Sequence, residues 1–128
     1  RGLGDVYKRQ EAGDYAVTQT EYKGKPAPGA QSLLAFFDVG PGLQLELIQP
    51  NEEPSTWREF LDEHGEGVHH LAFNVAGMNM QQAVDNCKEF GMTLEQKGEY
   101  GSGDGRYAYL SATKDLKVLI ELLESDKK

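Results

Sequence analysis

Val68-His69-His70-Leu71-Ala72-Phe73-Asn74-Val75 is the stretch on which the fold reading turns. Successive side chains of an extended strand point to opposite faces. His69, Leu71, Phe73 and Val75 therefore share one face, and Val68, His70, Ala72 and Asn74 share the other. The first face carries three large apolar side chains and is expected to pack beneath a helix, with His69 either directed toward the core or supporting a neighbouring ligand. His70 then points away from that helix. Small Ala72 beside it leaves room around the imidazole.

Reading forward, Asn79 can cap a helix whose Met80, Ala83, Val84 and Cys87 fall at the i, i+3, i+4, i+7 spacing of one apolar stripe, and Gly91 closes it. Met92–Gly98 and Arg106–Ser111 read as strands, separated by Gly101-Ser102-Gly103-Asp104-Gly105. Val118–Leu123 follows as the last strand after a turn at Thr113-Lys114-Asp115. From Val68 onward the order is strand, helix, strand, strand, strand.

Reading backward, Thr56-Trp57-Arg58-Glu59 matches a capping box that opens a short helix, and Gly65 stops it. Pro50–Pro54 separates this helix from a hairpin. In that hairpin Ser32–Val39 turns at Gly40-Pro41-Gly42 into Leu43–Gln49. There Leu43, Leu45 and Leu47 alternate with Gln44, Glu46 and Ile48, which gives one apolar face. Lys23–Ala30, with two prolines and two glycines, reads as a loop, and Tyr15–Thr20 as a weak strand.

The three strands ahead of the linker repeat the end of the downstream unit in architecture, with little repeat of sequence. The expected fold is α+β: paired βαβββ modules, the first without its first strand and helix. Residues 11–50 form the remainder of that module, 51–67 a linker with a short helix, and 68–128 the second module. Two such curved sheets side by side enclose a cleft.

The opening decapeptide RGLGDVYKRQ has no period and no turn logic. A common transposase sequencing adapter encodes these ten residues in order, and no initiator Met precedes them. Arg1–Gln10 is therefore read as adapter-derived and set aside from fold reasoning, with the true N-terminus expected upstream of Glu11.

Composition narrows the function. The chain has 128 residues, 38% hydrophobic and 27% charged, the profile of one ordinary globular domain. A formal charge of −8 repels phosphate backbones and argues against a nucleic-acid partner. No run approaches the ~18 apolar residues of a membrane span. The one cysteine, Cys87, allows no internal disulfide and suits a cytoplasmic location.

Three side chains carry the candidate chemistry. His70 and Glu46 lie opposite the apolar faces of their strands. Glu121 interrupts the apolar run Val118-Leu119-Ile120 and Leu122-Leu123, where a carboxylate is costly unless it is paired or bound to metal. One imidazole and two carboxylates suit a divalent Zn, Co, Ni, Mn or Fe ion. Alternatively, Glu46 faces solvent, His70 makes an ordinary hydrogen bond, and Glu121 pairs with Lys114 or Lys117; parity alone does not bring the strands together. His64 reads as a helix C-terminal residue. The glycine-rich loop lacks the Lys-Ser/Thr of a phosphate-binding P-loop, and Cys87 belongs to the helix stripe.

The segments LQLELIQP (Leu43–Pro50), FLDEHGEGVHHLAFNV (Phe60–Val75) and YLSATKDLKVLIELLE (Tyr109–Glu124) resemble the vicinal oxygen chelate superfamily of glyoxalases, bleomycin-resistance proteins and extradiol dioxygenases, most closely its methylmalonyl-CoA epimerase-like branch. The resemblance implies that His70, Glu121 and Glu46 are metal ligands and that Glu121 or Glu46 moves a proton. It implies a further His ligand on the first strand of the first module, which no residue here supplies. The implied activity is metal-dependent epimerisation at the carbon next to a carbonyl, on a small-molecule substrate such as an acyl thioester. The alternatives are a glyoxalase I-type lyase acting on a thiol adduct of a 2-oxoaldehyde and a non-catalytic antibiotic-binding protein. Such relatives often form homodimers.

Overall fold

A computed structural model describes residues 8–11, 15–100 and 102–126. In chain order the elements are β1 (Lys8–Glu11), α1 (Tyr15–Thr18), β2 (Glu21–Tyr22), β3 (Lys25–Pro26), β4 (Ser32–Gly40), β5 (Leu43–Pro50), α2 (Thr56–His64), β6 (His70–Asn74), α3 (Met80–Glu89), β7 (Thr93–Tyr100), β8 (Gly105–Ser111) and β9 (Leu119–Ser125). They form an α+β fold with two sheets, one ordered β1-β4-β5 and the other β3-β2-β7-β8-β9-β6. None of the described helices is long and apolar enough to cross a membrane.

The run β6-α3-β7-β8-β9 is the strand-helix-strand-strand-strand order expected from Val68 onward. β6 pairs parallel with β9, setting Ala72 beside Glu121 and His70 beside Leu119. A parallel pair needs a long connection, which α3 begins. The capping box of α3 is complete: the Asn79 side chain accepts from the Gln82 N–H, and the Gln82 side chain accepts from the Asn79 N–H. Ala83 and Val84 on its inner face pack on Ala108, Leu110, Ala112, Ile120 and Leu122, which form the core on that side of the sheet.

Several expectations change. Tyr15–Thr18 is one helical turn, not a strand, closed by the Gln19 N–H donating to the Tyr15 carbonyl. Over so few residues, period 2 and a single turn of helix are hard to tell apart. The expected loop Lys23–Ala30 instead begins in a small hairpin, because Lys23 and Gly24 both take positive φ (53° and 79°), the geometry of a tight two-residue turn. Pro26 lies on its outer edge strand, where a missing N–H disrupts no inner ladder. The cap of α2 is Ser55, one residue ahead of the expected box, and its hydroxyl accepts from the Arg58 N–H at 3.0 Å.

The larger correction concerns which apolar faces are covered. Val75 packs on the core, but Leu71 and Phe73 are 50% and 56% exposed. α3 lies across β7, β8 and β9, so the edge strand β6 extends past its cover. Likewise Leu43 and Leu47 on β5 are 62% and 50% exposed, although their alternation is as read. β1 takes three of its four residues from the decapeptide set aside above and pairs antiparallel with β4.

Candidate metal centre

Glu46, His70 and Glu121 come from β5, β6 and β9, and the structure brings all three together. His70 Nε2 lies 3.2 Å from Glu121 Oε1 and 3.4 Å from Glu46 Oε1. One donor atom from each falls within 4.8 Å of the others, the one such cluster among the described residues. Register explains the convergence. His70, Ala72 and Glu121 share one face of the parallel pair, Glu121 stands opposite Tyr109 on β8, and Glu46 enters from the facing sheet. Of the alternative partners for Glu121, Lys117 instead donates its Nζ to the Lys114 carbonyl, and the ion pairs of the described residues include none between Glu121 and either lysine.

The cluster sits among aromatic rings. The Tyr109 ring is fully enclosed and edge-on to His70 at 5.2 Å between centroids. Trp57, projecting from α2, donates its indole N–H to the Tyr109 hydroxyl at 3.0 Å and packs with Tyr109, Leu119, Ile48 and Tyr107. The start of α2 is fixed from below. The Thr56 N–H donates to Gln96 Oε1 at 2.8 Å, and Gln96 Nε2 donates to the Tyr107 hydroxyl at 3.0 Å. Gln96 is fully buried, so both bonds form away from competing water.

Of the two readings of His69, the structure departs from the core-facing one and agrees with a place beside the candidate ligand His70. His69 lies ahead of β6, outside the extended stretch where parity holds, and its ring turns beside His70 with the two Nδ1 atoms 3.0 Å apart. Phe60 and Tyr109 flank it edge-on at 5.6 and 5.1 Å. Trp57, Gln96 and Tyr109 were missed as members of this region. Their signal was faint: a buried Gln at an inward position of β7 and a Tyr-x-Tyr alternation in β8.

The electrostatics separate the two histidines. Burial opposes charge on His70, but hydrogen bonding and charge from Glu121 and Glu46 outweigh it and raise its pKa to about 9. For His69, burial and then the charge on His70 lower the pKa to about 4, against an opposing pull from the Thr56 backbone. Burial first, then the two carboxylates, hold the Tyr109 phenol well above its usual value. The donor set fits a divalent ion: one imidazole nitrogen and two carboxylate oxygens converge from three strands, already drawn toward a positive charge at His70. A separate groove of about 560 Å³ on the β7 side, bordered by Lys23, Lys88 and Lys97, shares no residue with this cluster.

Comparison with known proteins bears on the family and the fold. The family model described as the Glyoxalase/Bleomycin resistance protein/Dioxygenase superfamily matches residues 5–109, a span that includes Glu46 and His70 and stops short of Glu121. YqjC, an uncharacterized protein of Bacillus subtilis (strain 168), is 31% identical over 93 residues, 71% of this chain; the match spans 64% of that relative's length. Among solved structures, a hypothetical protein of Bacillus halodurans C-125 superposes with a TM-score of 0.58 at 26% identity, over 76% of this chain and 69% of its own. Methylmalonyl-CoA epimerase from Mycobacterium tuberculosis superposes with a TM-score of 0.52 at 26% identity, over 73% of this chain and 63% of that one. A variant of the Streptomyces coelicolor methylmalonyl-CoA epimerase, in complex with 2-nitronate-propionyl-CoA, is alike in fold: TM-score 0.58, 21% identity, 94% of this chain and 79% of that one.

Proposed function

This chain belongs to the glyoxalase/bleomycin resistance protein/dioxygenase superfamily, and on that footing we propose that it serves as a divalent-metal-dependent epimerase acting on an acyl thioester. The observation that carries the reading is the convergence of His70 Nε2 with one carboxylate oxygen each of Glu46 and Glu121 within 4.8 Å. The likeness to the Mycobacterium tuberculosis methylmalonyl-CoA epimerase supports the choice of chemistry and substrate class.

His70, Glu46 and Glu121 would hold the ion. When bound, such an ion supplies the positive charge that lets a proton leave a carbon next to a carbonyl at neutral pH. The remaining work falls to the chain's own residues. Glu121 is held in place: its side chain is 10% exposed, between apolar neighbours on β9, which is paired on both sides. Glu46 is 22% exposed, makes the longer contact to His70, and lies across the cleft on the other sheet. We assign proton transfer to Glu46, the more exposed of the two carboxylates, and the ligand role alone to Glu121. The aromatic wall of Trp57, Tyr107 and Tyr109 keeps water from the buried side of His70.

The test uses one enantiomer of methylmalonyl-CoA, incubated with the chain and with Zn, Co, Ni, Mn or Fe in turn. Metal-dependent formation of the opposite enantiomer is expected. Stoichiometric metal binding with no interconversion would leave a metal-binding protein of other function.

A further inference from the structure

His70 directs one ring nitrogen at the carboxylates and the other at His69. With Nε2 facing Glu46 and Glu121, an ion held there takes the Nε2 lone pair, and the ring proton must then sit on Nδ1. That proton points at His69 Nδ1, 3.0 Å away. Two ring nitrogens at that distance can bond only as one donor and one acceptor. His69 must therefore present a bare Nδ1 and carry its own proton on Nε2.

The surroundings of His69 fit this demand. Phe60 and Tyr109 clamp the ring edge-on, with interplanar angles of 84° to each, which fixes its plane against that of His70. Its Nε2 is buried and makes no complete hydrogen bond among the described residues. A buried polar ring with one nitrogen only weakly partnered, by the Thr56 backbone, is costly where only packing is needed, and a residue such as Phe would fill the same space without that cost. A neutral imidazole also suits a site that already holds two carboxylates, because it orients the ligand without adding a third negative charge.

We propose that His69 is a positioning residue, accepting the Nδ1 proton of His70 and so fixing the ring orientation and tautomer in which His70 Nε2 can bind a divalent ion. The inference rests on the metal-centre reading given above and goes beyond it. Its test compares the unaltered chain with His69→Leu, which removes the acceptor, and His69→Asn, whose side-chain oxygen falls near the position of Nδ1. Zinc affinity, measured by competition with a chromophoric chelator, is expected to fall about 10- to 100-fold in His69→Leu and to be largely recovered in His69→Asn. In the zinc-loaded unaltered chain, long-range proton–nitrogen-15 spectra are expected to place the proton of His70 on Nδ1 and that of His69 on Nε2. Those spectra decide the matter even if His69→Leu fails to fold. Equal zinc affinity in all three chains, or a proton on Nδ1 of His69, would overturn the inference alone. Failure of the unaltered chain to bind zinc would overturn the metal-centre reading and the inference with it.

Discussion

Glu121 is the residue hardest to place without a partner. It occupies the middle of a buried apolar strand, and His70, 3.2 Å away, supplies the charge that makes its burial tolerable. This coupling predicts how the metal-free chain responds to pH. His70 has its pKa raised to about 9, so the stability it contributes is fully present below its unfolded value of ~6.5 and is lost as pH rises toward 9. His69 is lowered to about 4, so the folded state binds fewer protons than the unfolded state between ~6.5 and 4, and stability falls as pH drops through that window. Urea midpoints measured across that range, in the presence of a chelator, should peak near neutral pH and decline on both sides. Substitution separates the carboxylates. Both Glu46→Gln and Glu121→Gln should weaken zinc binding. At saturating zinc, Glu46→Gln, which cannot carry a proton, should lower proton exchange by about 10²- to 10⁴-fold, while Glu121→Gln should keep most of it. The reverse pattern would exchange the two roles. His70, Glu46 and Glu121 were legible from strand parity and from the apolar neighbours of Glu121. For His69 the core-facing and supporting readings stayed open, because parity assumes an extended chain and His69 lies just before the strand begins.

The elements that position the site are held by a few polar bonds. α2 brings Phe60 to His69 and Trp57 to Tyr109, and its start depends on Ser55 as cap and on Gln96 as acceptor for the Thr56 N–H. Ser55→Ala should cost about 1 kcal/mol. Gln96→Leu leaves the buried Thr56 N–H without its acceptor and should cost about 1–3 kcal/mol. Chemical denaturation reads both losses. Because Gln96 touches neither His70 nor the carboxylates directly, a fall in zinc affinity in Gln96→Leu would report the displacement of α2. The capping chemistry of α2 and α3 was visible as sequence pattern, with the α2 cap misplaced by one residue because Ser55 and Thr56 are both capable caps. The β2–β3 hairpin went unread because its strands are two residues long and leave no period to detect.

At the scale of the whole molecule, periodicity reports which face of an element is apolar but not what lies over it. That is why the module β6-α3-β7-β8-β9 was foreseen while the exposure of Leu71 and Phe73 was not. The difference has a measurable consequence. Leu110, with no exposed surface, should cost about 2–5 kcal/mol when truncated to Ala. Phe73→Ala should cost far less in thermal denaturation, since more than half of that side chain already meets solvent. A large loss at Phe73 would show that β6 is covered in solution. The site itself depends on this architecture, since Glu46 lies on one sheet and His70 and Glu121 on the other. The most direct measurement of the central claim is solvent exchange at the substrate carbon. Methylmalonyl-CoA incubated with the metal-loaded chain in deuterated water should gain deuterium at the carbon next to the thioester carbonyl, and removal of the metal by a chelator should stop it. Undiminished exchange after metal removal would contradict the account.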